Sequence, residues 1–340
     1  MGSLPRCRTV QCRAFKRTGV DYTGPIQVKA RGGRCKIVEK GYVAVFVCLV
    51  TRAVHLEAVS DLTSAAFLAA FRRFTGRRGH CSELYSDNAT TFVGAAKEME
   101  QVQHTWVNRL TTEQLSAMGT TWRFITPAAP HQGGIWEAAV KSAKHHLRRV
   151  MGAQVFTFEG LSTVLIQIEA CLNSRPIAAM SDDVQDLTAL TPGHFLIGEP
   201  LVQPLGADLT SVPENRLKLW KLIQRMQQDF WKRWHNEYLA LLQQRLKWKV
   251  QAENVRVGDL ALIRQENLPP TIWALGRIIE VHRDAEGLVR SVTLRTESTT
   301  LQRSVQKLCV LPMEQAERQE PKEPEEQEDG AQQPEEQKSS

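Results

Sequence analysis

The nine-residue run YVAVFVCLV, residues 42–50, constrains this chain more than any other stretch. It is too short to cross a bilayer as a helix, which takes about 20 apolar residues, and its β-branched content reads as a buried strand. TGVDYTGPIQV before it alternates apolar and polar residues, and AVHLEAV after Thr51 and Arg52 resumes the pattern, so three strands follow one another. From Asp61, a good N-cap, LTSAAFLAAFRRF sets Phe67, Ala70, Phe71 and Phe74 on one helical face until Gly76 and Gly79 stop it. SELYSDN is then a fourth strand ending on Asp87, and residues 95–118 read as a polar helix. TWRFITP is a further strand, and a loop with Pro127, Pro130, Gly133 and Gly134 opens into a basic helix headed by Glu137. The order βββ-α-β-α-β-α predicts an α/β fold, a mixed sheet with flanking helices.

A further helix, FEGLSTVLIQIEACLNSRP, ends before Pro176, and an Asp- and Pro-rich loop follows it. Residues 214–248 form a long helical segment in which Ile223, Trp231, Trp234, Tyr238 and Leu242 recur near helical spacing. Basic residues alternate with those aromatics, so DNA contact is an alternative to core packing; the spacing favours the core. From Val255 the period becomes that of strands, in VRVGDLALIRQ, WALGRIIEVHR, LVRSVTLRT and LQRSVQKLCVLP, which suggests a small barrel. The expected divisions are a basic lead-in over 1–14, the α/β core over 15–205, a helical linker over 206–250, the barrel over 251–313 and an acidic disordered tail over 314–340.

The formal charge is +6, but residues 314–340 hold ten acidic and three basic side chains, so the preceding residues carry +13. That surplus favours a polyanion partner, and nucleic acid comes before membrane because no basic amphipathic anchor stands at either terminus. The first ten residues lack the apolar core of a signal peptide. Seven cysteines without a CxxC pair fit reduced thiols in an intracellular protein.

Three acids stand at element ends: Asp21 on the first strand, Asp87 ending the fourth, and Glu137 opening a helix. In this strand order the first and fourth strands are neighbours, so the aspartates can converge, and the glycine-rich loop lets Glu137 swing toward them. Three converging carboxylates need a cation, and oxygen-only ligands suit Mg2+ or Mn2+. Two such ions, roughly 4 Å apart, can clamp the attacking and leaving oxygens of a phosphoryl displacement. Lys141 and Lys144, four and seven residues after Glu137, share its helical face and suit DNA phosphates; Arg148 extends the row. Taken singly, each acid also fits a structural role: a turn at Asp87-Asn88, a turn initiator at Asp21, a helix cap at Glu137. Glu57 reads as decoration on a strand, His145 and His146 as surface residues, and His131 as a loop residue near substrate.

TGVDYTGP, YSDNATTFVGA and PHQGGIWEAAVKSAKHHLRRV resemble the three acidic motifs of a retroviral-type integrase core, specifically that of BEL/Pao long-terminal-repeat retrotransposons. IEACLNSRPI, LTPGHFLIGEPL, FWKRWHNEYLALLQQRLKW and VGDLALIRQENLPPTIWALGRIIEVH are similar to the segment that follows that core, so the resemblance runs from about residue 3 to residue 312. It implies an RNase H-like fold and a small SH3-like β-barrel. It implies Asp21, Asp87 and Glu137 as catalytic, metal-holding acids for two ions of Mg2+ or Mn2+, with Asn88, His131, Lys141, Lys144 and Arg148 on DNA. The chemistry implied is 3′-end processing of retroelement DNA and strand transfer into target DNA, by a homo-oligomer in the nucleus, with the cytoplasm as a second compartment. Integrases of this kind carry a zinc module before the core, and the sequence opens past it. The second reading is therefore a truncated or host-retained integrase serving as a non-catalytic DNA-binding scaffold.

Overall fold

The structure is a computed structural model that describes residues 9–29, 37–106, 118–125, 141, 144–152, 154–243, 254–285 and 287–313. Its centre is a mixed sheet built from β1 (Arg17–Lys29), β2 (Val38–Cys48), β3 (Val54–Val59), β4 (Glu83–Ser86) and β5 (Thr121–Phe124), in the order β3-β2-β1-β4-β5. The first three strands run antiparallel, while β4 lies parallel to both β1 and β5. A two-residue β6 (Phe156–Thr157) adds to the far end of β1. This order meets the RNase H-like expectation.

The long apolar run forms β2, and its lack of alternation has a plain cause. Val43, Val45 and Val47 face one hydrophobic core, and Ala44, Phe46 and Cys48 face another. A strand covered on both faces needs apolar residues at every position. One cover is α1 (Ser64–Arg78), which buries Phe67, Ala70, Phe71 and Phe74 as its spacing predicts, with Phe74 stacked on Phe46 at 4.3 Å between ring centroids. Its cap differs from the expectation: Thr63 accepts from Ala66 N, while Asp61 braces the turn before it by accepting from Thr63 N. Gly76 does not stop the helix, which runs on to Gly79 at φ 80°. α2 (Thr90–Trp106) packs beside α1, starting earlier than the polar segment suggested because Thr91, Phe92 and Ala95 are buried.

The opposite face is covered by α3 (Phe158–Asn173), capped by the Thr157 hydroxyl on Gly160 N. A short α4 (His194–Ile197) follows, and then α5 (Leu219–Leu242) lies on α3. Ile223, Met226, Phe230, Trp231 and Trp234 of α5 join the same core as β2 and α3. Most of the tryptophan stripe is therefore packing. The C-terminal unit is an antiparallel sheet of β9 (Leu260–Ile263), β10 (Leu275–Arg283), β11 (Val289–Arg295), β12 (Thr300–Ser304) and β13 (Leu308–Val310), ordered β12-β11-β10-β9-β13. Between α3 and that sheet, β7 (Ala178–Ala179) and β8 (Ala189–Leu190) form a small ribbon. The last expected strand is split in two by the turn Val305–Lys307. Among the described residues β12 and β13 share no ladder.

The C-terminal sheet is tied down by a buried cation. Arg277, 0% exposed, donates from Nη1 to Gly258 O at 2.9 Å and from Nη2 to Ser181 O at 3.0 Å, and both Nε and Nη2 reach Asp186 O. Carbonyl oxygens thus satisfy a charge that would otherwise be costly to bury. The Asp-rich loop after α3 is in this way clamped to β10. No described helix is long and apolar enough to cross a membrane.

Candidate active site at the sheet's parallel edge

The pairing of β1 with β4 directs the first two acids toward the same end of the sheet. Arg17, Thr18 and Gly19 lie opposite Glu83, Leu84 and Tyr85, and two residues further along each strand come Asp21 and Asp87. The strands are parallel, so both carboxylates emerge at the same end, the carboxyl end, where open α/β sheets bind their ligands. β1 continues past Asp21 as a partner of β2, with a register shift between Thr23 and Ile26. β4 stops at Ser86, which leaves Asp87 exposed on the loop.

Local hydrogen bonds hold each acid in place. Asp21 Oδ1 accepts from Tyr22 N at 2.6 Å, and Asp87 Oδ1 accepts from Ala89 N at 3.1 Å in an Asx turn that starts α2. Asn88, expected on DNA, donates from Nδ2 to Ile125 O at 2.9 Å and so joins the ends of β4 and β5. The Tyr22 ring stacks on Phe92 at 5.2 Å, and its buried hydroxyl has no hydrogen-bond partner among the described residues. Burial, and then the Asp61 carboxylate, raise the Tyr22 pKa well above that of a free phenol, so it stays protonated.

Residues 144–151 are helical and bring the basic row to the same place. Lys144 Nζ lies 2.6 Å from Asp21 Oδ2, with the two side chains 24% and 29% exposed. Arg148 Nη2 donates to Gly24 O at 3.2 Å, and Lys141 is exposed. Glu137 and His131, with Gly133 and Gly134, lie outside the described residues. Among the described residues no three His, Cys, Asp or Glu side chains are grouped to hold a metal ion. What is present still fits a hard divalent cation: the donors are carboxylate oxygens, one within β1 and one just past the end of the neighbouring β4, and the first already attracts a cationic group, the Lys144 ammonium.

Sequence reasoning missed how this helix is held. His146 is 4% exposed rather than on the surface, because its Nε2 lies 2.6 Å from Glu237 Oε2 on α5 and its ring stands edge-on to Phe230. Among the described residues its buried Nδ1 has no partner. Leu147 and Met151 anchor the same helix in the core. Nothing near His146 in the sequence signals this pairing, since Glu237 stands 91 residues away.

Glu57 likewise departs from expectation. It is 4% exposed and accepts from Arg73 Nε at 2.8 Å and from Arg77, and His55 Nε2 lies 3.0 Å from it. On the other side of His55, Glu169 pairs with Arg78 and accepts from Leu56 N at 2.9 Å. One turn along α3, Asn173 accepts from Val54 N at 2.8 Å and donates to Val54 O at 2.7 Å, while Arg73 reaches Ala58 O. Side chains thus fill the outer edge of β3, which would otherwise offer unpaired backbone groups. Burial, helped by Arg78 and Arg77, lowers the His55 pKa against the pull of Glu169. His55 Nδ1 lies 3.1 Å from Glu169 Oε2 and 3.3 Å from Arg78 Nε, so the ring sits between the two carboxylates and the arginines that pair with them. For Glu169, burial acts upward, but the His55 contact, Arg78 and Leu56 N prevail and its pKa is lowered.

The family of unknown function DUF5641 matches residues 218–311, which are α5 and the C-terminal sheet. No curated protein matches the sequence. Solved structures similar to the chain include a simian T-cell lymphotropic virus intasome in complex with PP2A regulatory subunit B56 gamma, at 11% identity and a TM-score of 0.36, covering 93% of this chain and 85% of that one. Another is the catalytic core domain of BIV integrase, at 18% identity and a TM-score of 0.34, covering 54% of this chain and 95% of that one. Superpositions this loose assign no residue role and no activity.

Proposed function

We propose that this chain is an integrase-type polynucleotidyl transferase of the BEL/Pao kind, acting on retroelement DNA ends and target DNA. The observation that supports the reading is the parallel pairing of β1 with β4, which directs the segments carrying Asp21 and Asp87 toward the same end of a sheet covered on both faces. In this reading Asp21, Asp87 and Glu137 hold two ions of Mg2+ or Mn2+. A bound divalent cation would neutralise the carboxylates and polarise a phosphoryl oxygen. Lys141, Lys144 and Arg148 neutralise DNA phosphates along one helix face, and Asn88 fixes the loop that carries Asp87 by its bond to Ile125 O. The chemistry needs no side-chain nucleophile. A water hydrolyses a phosphodiester near a 3′ end, and the freed 3′-hydroxyl then displaces a 3′-oxygen from target DNA. Two DNA ends in one assembly call for a homo-oligomer, and the substrate for a nuclear location.

The test is incubation of the protein with Mn2+ and a branched DNA that mimics the integration product, beside Glu137→Gln. Resolution of the branch by the wild type and none by the variant supports the reading; equal resolution by both refutes it. One observation favours the second reading, a non-catalytic DNA-binding scaffold: Lys144 already neutralises Asp21. That reading predicts salt-sensitive DNA binding by both proteins and no strand joining at any metal concentration.

A further inference from the structure

Leu84 pairs with Trp122 across β4 and β5, and Ser86 follows Leu84 by two residues, so the indole and the serine side chain share the sheet face that α1 and α2 cover. Ser86 is 0% exposed there, and a buried hydroxyl is costly unless it is bonded. Its oxygen accepts from Trp122 Nε1 at 2.9 Å, and its proton goes to Asp87 O at 2.8 Å. An alanine and a phenylalanine at the two positions would fill the same layer with no polar group to satisfy. What the chain from Trp122 through Ser86 to Asp87 contributes is direction. It turns the Asp87 carbonyl back toward β4 and fixes the peptide that follows the acid.

Three further bonds close around the same loop. Ile125 N donates to Ser86 O at 3.0 Å, Asn88 Nδ2 to Ile125 O at 2.9 Å, and Ala89 N to Asp87 Oδ1 at 3.1 Å. Among the described residues Asp87 Oδ2 makes no hydrogen bond, which leaves one oxygen for a ligand. The indole is itself held by rings. Its centroid lies 5.4 Å from that of Phe67 and 6.1 Å from that of Phe92, and Phe92 stacks at 5.2 Å on Tyr22, the residue after Asp21. One aromatic cluster thus reaches from the strand that carries Asp21 to the donor that holds Asp87. We infer that Trp122 is a positioning residue for the candidate site: through Ser86 it holds Asp87 in the orientation in which its carboxylate meets a divalent cation, and the ring cluster ties that hold to β1. The consequence for metal rests on the reading proposed above; the hold itself does not, and is tested without metal.

The experiment compares the full chain with Trp122→Phe, which keeps a ring and removes the N–H, with Ser86→Ala, and with Phe124→Leu, which disturbs the same strand but none of these hydrogen bonds. Melting temperature is measured for each. In metal-free protein, hydrogen exchange over residues 86–92 should speed up about tenfold in Trp122→Phe and Ser86→Ala, the scale of one lost hydrogen bond, and stay within about twofold of wild type in Phe124→Leu. Exchange over α1 should not change. Mn2+ affinity, read from the electron paramagnetic resonance signal of the free ion with Asp21→Asn as the blank, should fall roughly tenfold in the first two variants. On branched DNA the Mn2+ concentration for half-maximal rate should rise in step, while KM for DNA stays within about twofold. The double variant should be no worse than Ser86→Ala, because both changes act through one hydroxyl. Exchange at the wild-type rate in Trp122→Phe overturns the hold. Faster exchange with wild-type Mn2+ affinity overturns the positioning role and leaves a structural bond. No Asp21-dependent Mn2+ binding in the wild type, with exchange faster in both variants, sinks the metal reading while the hold on Asp87 stands.

Discussion

Two groups of carboxylates sit on the same sheet under opposite conditions. At the parallel edge, Asp21 and Asp87 are open to solvent, with one lysine against Asp21. At the far edge, Glu57 and Glu169 are buried, and three arginines, a histidine and a backbone N–H satisfy them. The buried group has partners for its charges and closes a strand edge, so it has no capacity left for a ligand. The open group has unspent oxygens and room in front of them. Charge alone does not separate a site from a strut; the number of partners and access to solvent do.

The sharpest way to break this contrast is to neutralise one member of each group. Asp21→Asn and Asp87→Asn should each lower strand transfer on branched DNA by on the order of a thousandfold or more, while urea midpoints stay at or near wild type. Glu169→Gln should do the reverse: it strands Arg78 beside a buried ring and should cost about 3–5 kcal/mol of unfolding free energy, measured by urea denaturation. A large loss of stability in Asp87→Asn, or none in Glu169→Gln, would undo the distinction.

The strut that holds the basic helix should give an intermediate effect. Glu237→Gln weakens the bond to His146 and should cost about 1–3 kcal/mol in the same assay, with a further loss of DNA affinity as the helix loosens. The pH dependence tests the far edge by itself. A histidine with a lowered folded pKa binds fewer protons when folded, so its contribution is present above the free value of 6.5 and lost as pH falls below it. Glu169, also lowered, adds its own loss below 4.5. Melting temperature should therefore drop from pH 7.5 toward pH 5 and continue to drop below it, and His55→Gln should flatten the upper part of that decline. The smallest effect belongs to the partly exposed ion pair. Lys144→Gln should change stability by about 1 kcal/mol or less, yet reduce the salt dependence of DNA binding by about one phosphate contact in a titration across salt concentrations.

Much of the core was legible because each of its signals is local. The apolar run of β2 shows its double burial, the phenylalanine spacing of α1 shows its inner face, and Asp87 stands just past a strand end while Asp21 lies within β1. Glu57 and His146 were misread because a single carboxylate on a strand, or a histidine among basic residues, looks the same whether or not a partner waits across the fold. On α5, only the packing separates the exposed Trp220 indole from the buried Trp231 and Trp234.

The sequence by itself determined the strand and helix order and the mixed sheet that follows from it, because periodicity and turn chemistry act within a few residues. The tertiary structure decided which charges are consumed and which are free. Arg277 in its cage of carbonyls, Glu169 and Asn173 along the open edge of β3, Glu237 on His146, and α5 as part of the core all depend on partners brought together from distant parts of the chain. Desolvation and pairing are properties of that meeting, and no window of sequence contains both sides of it.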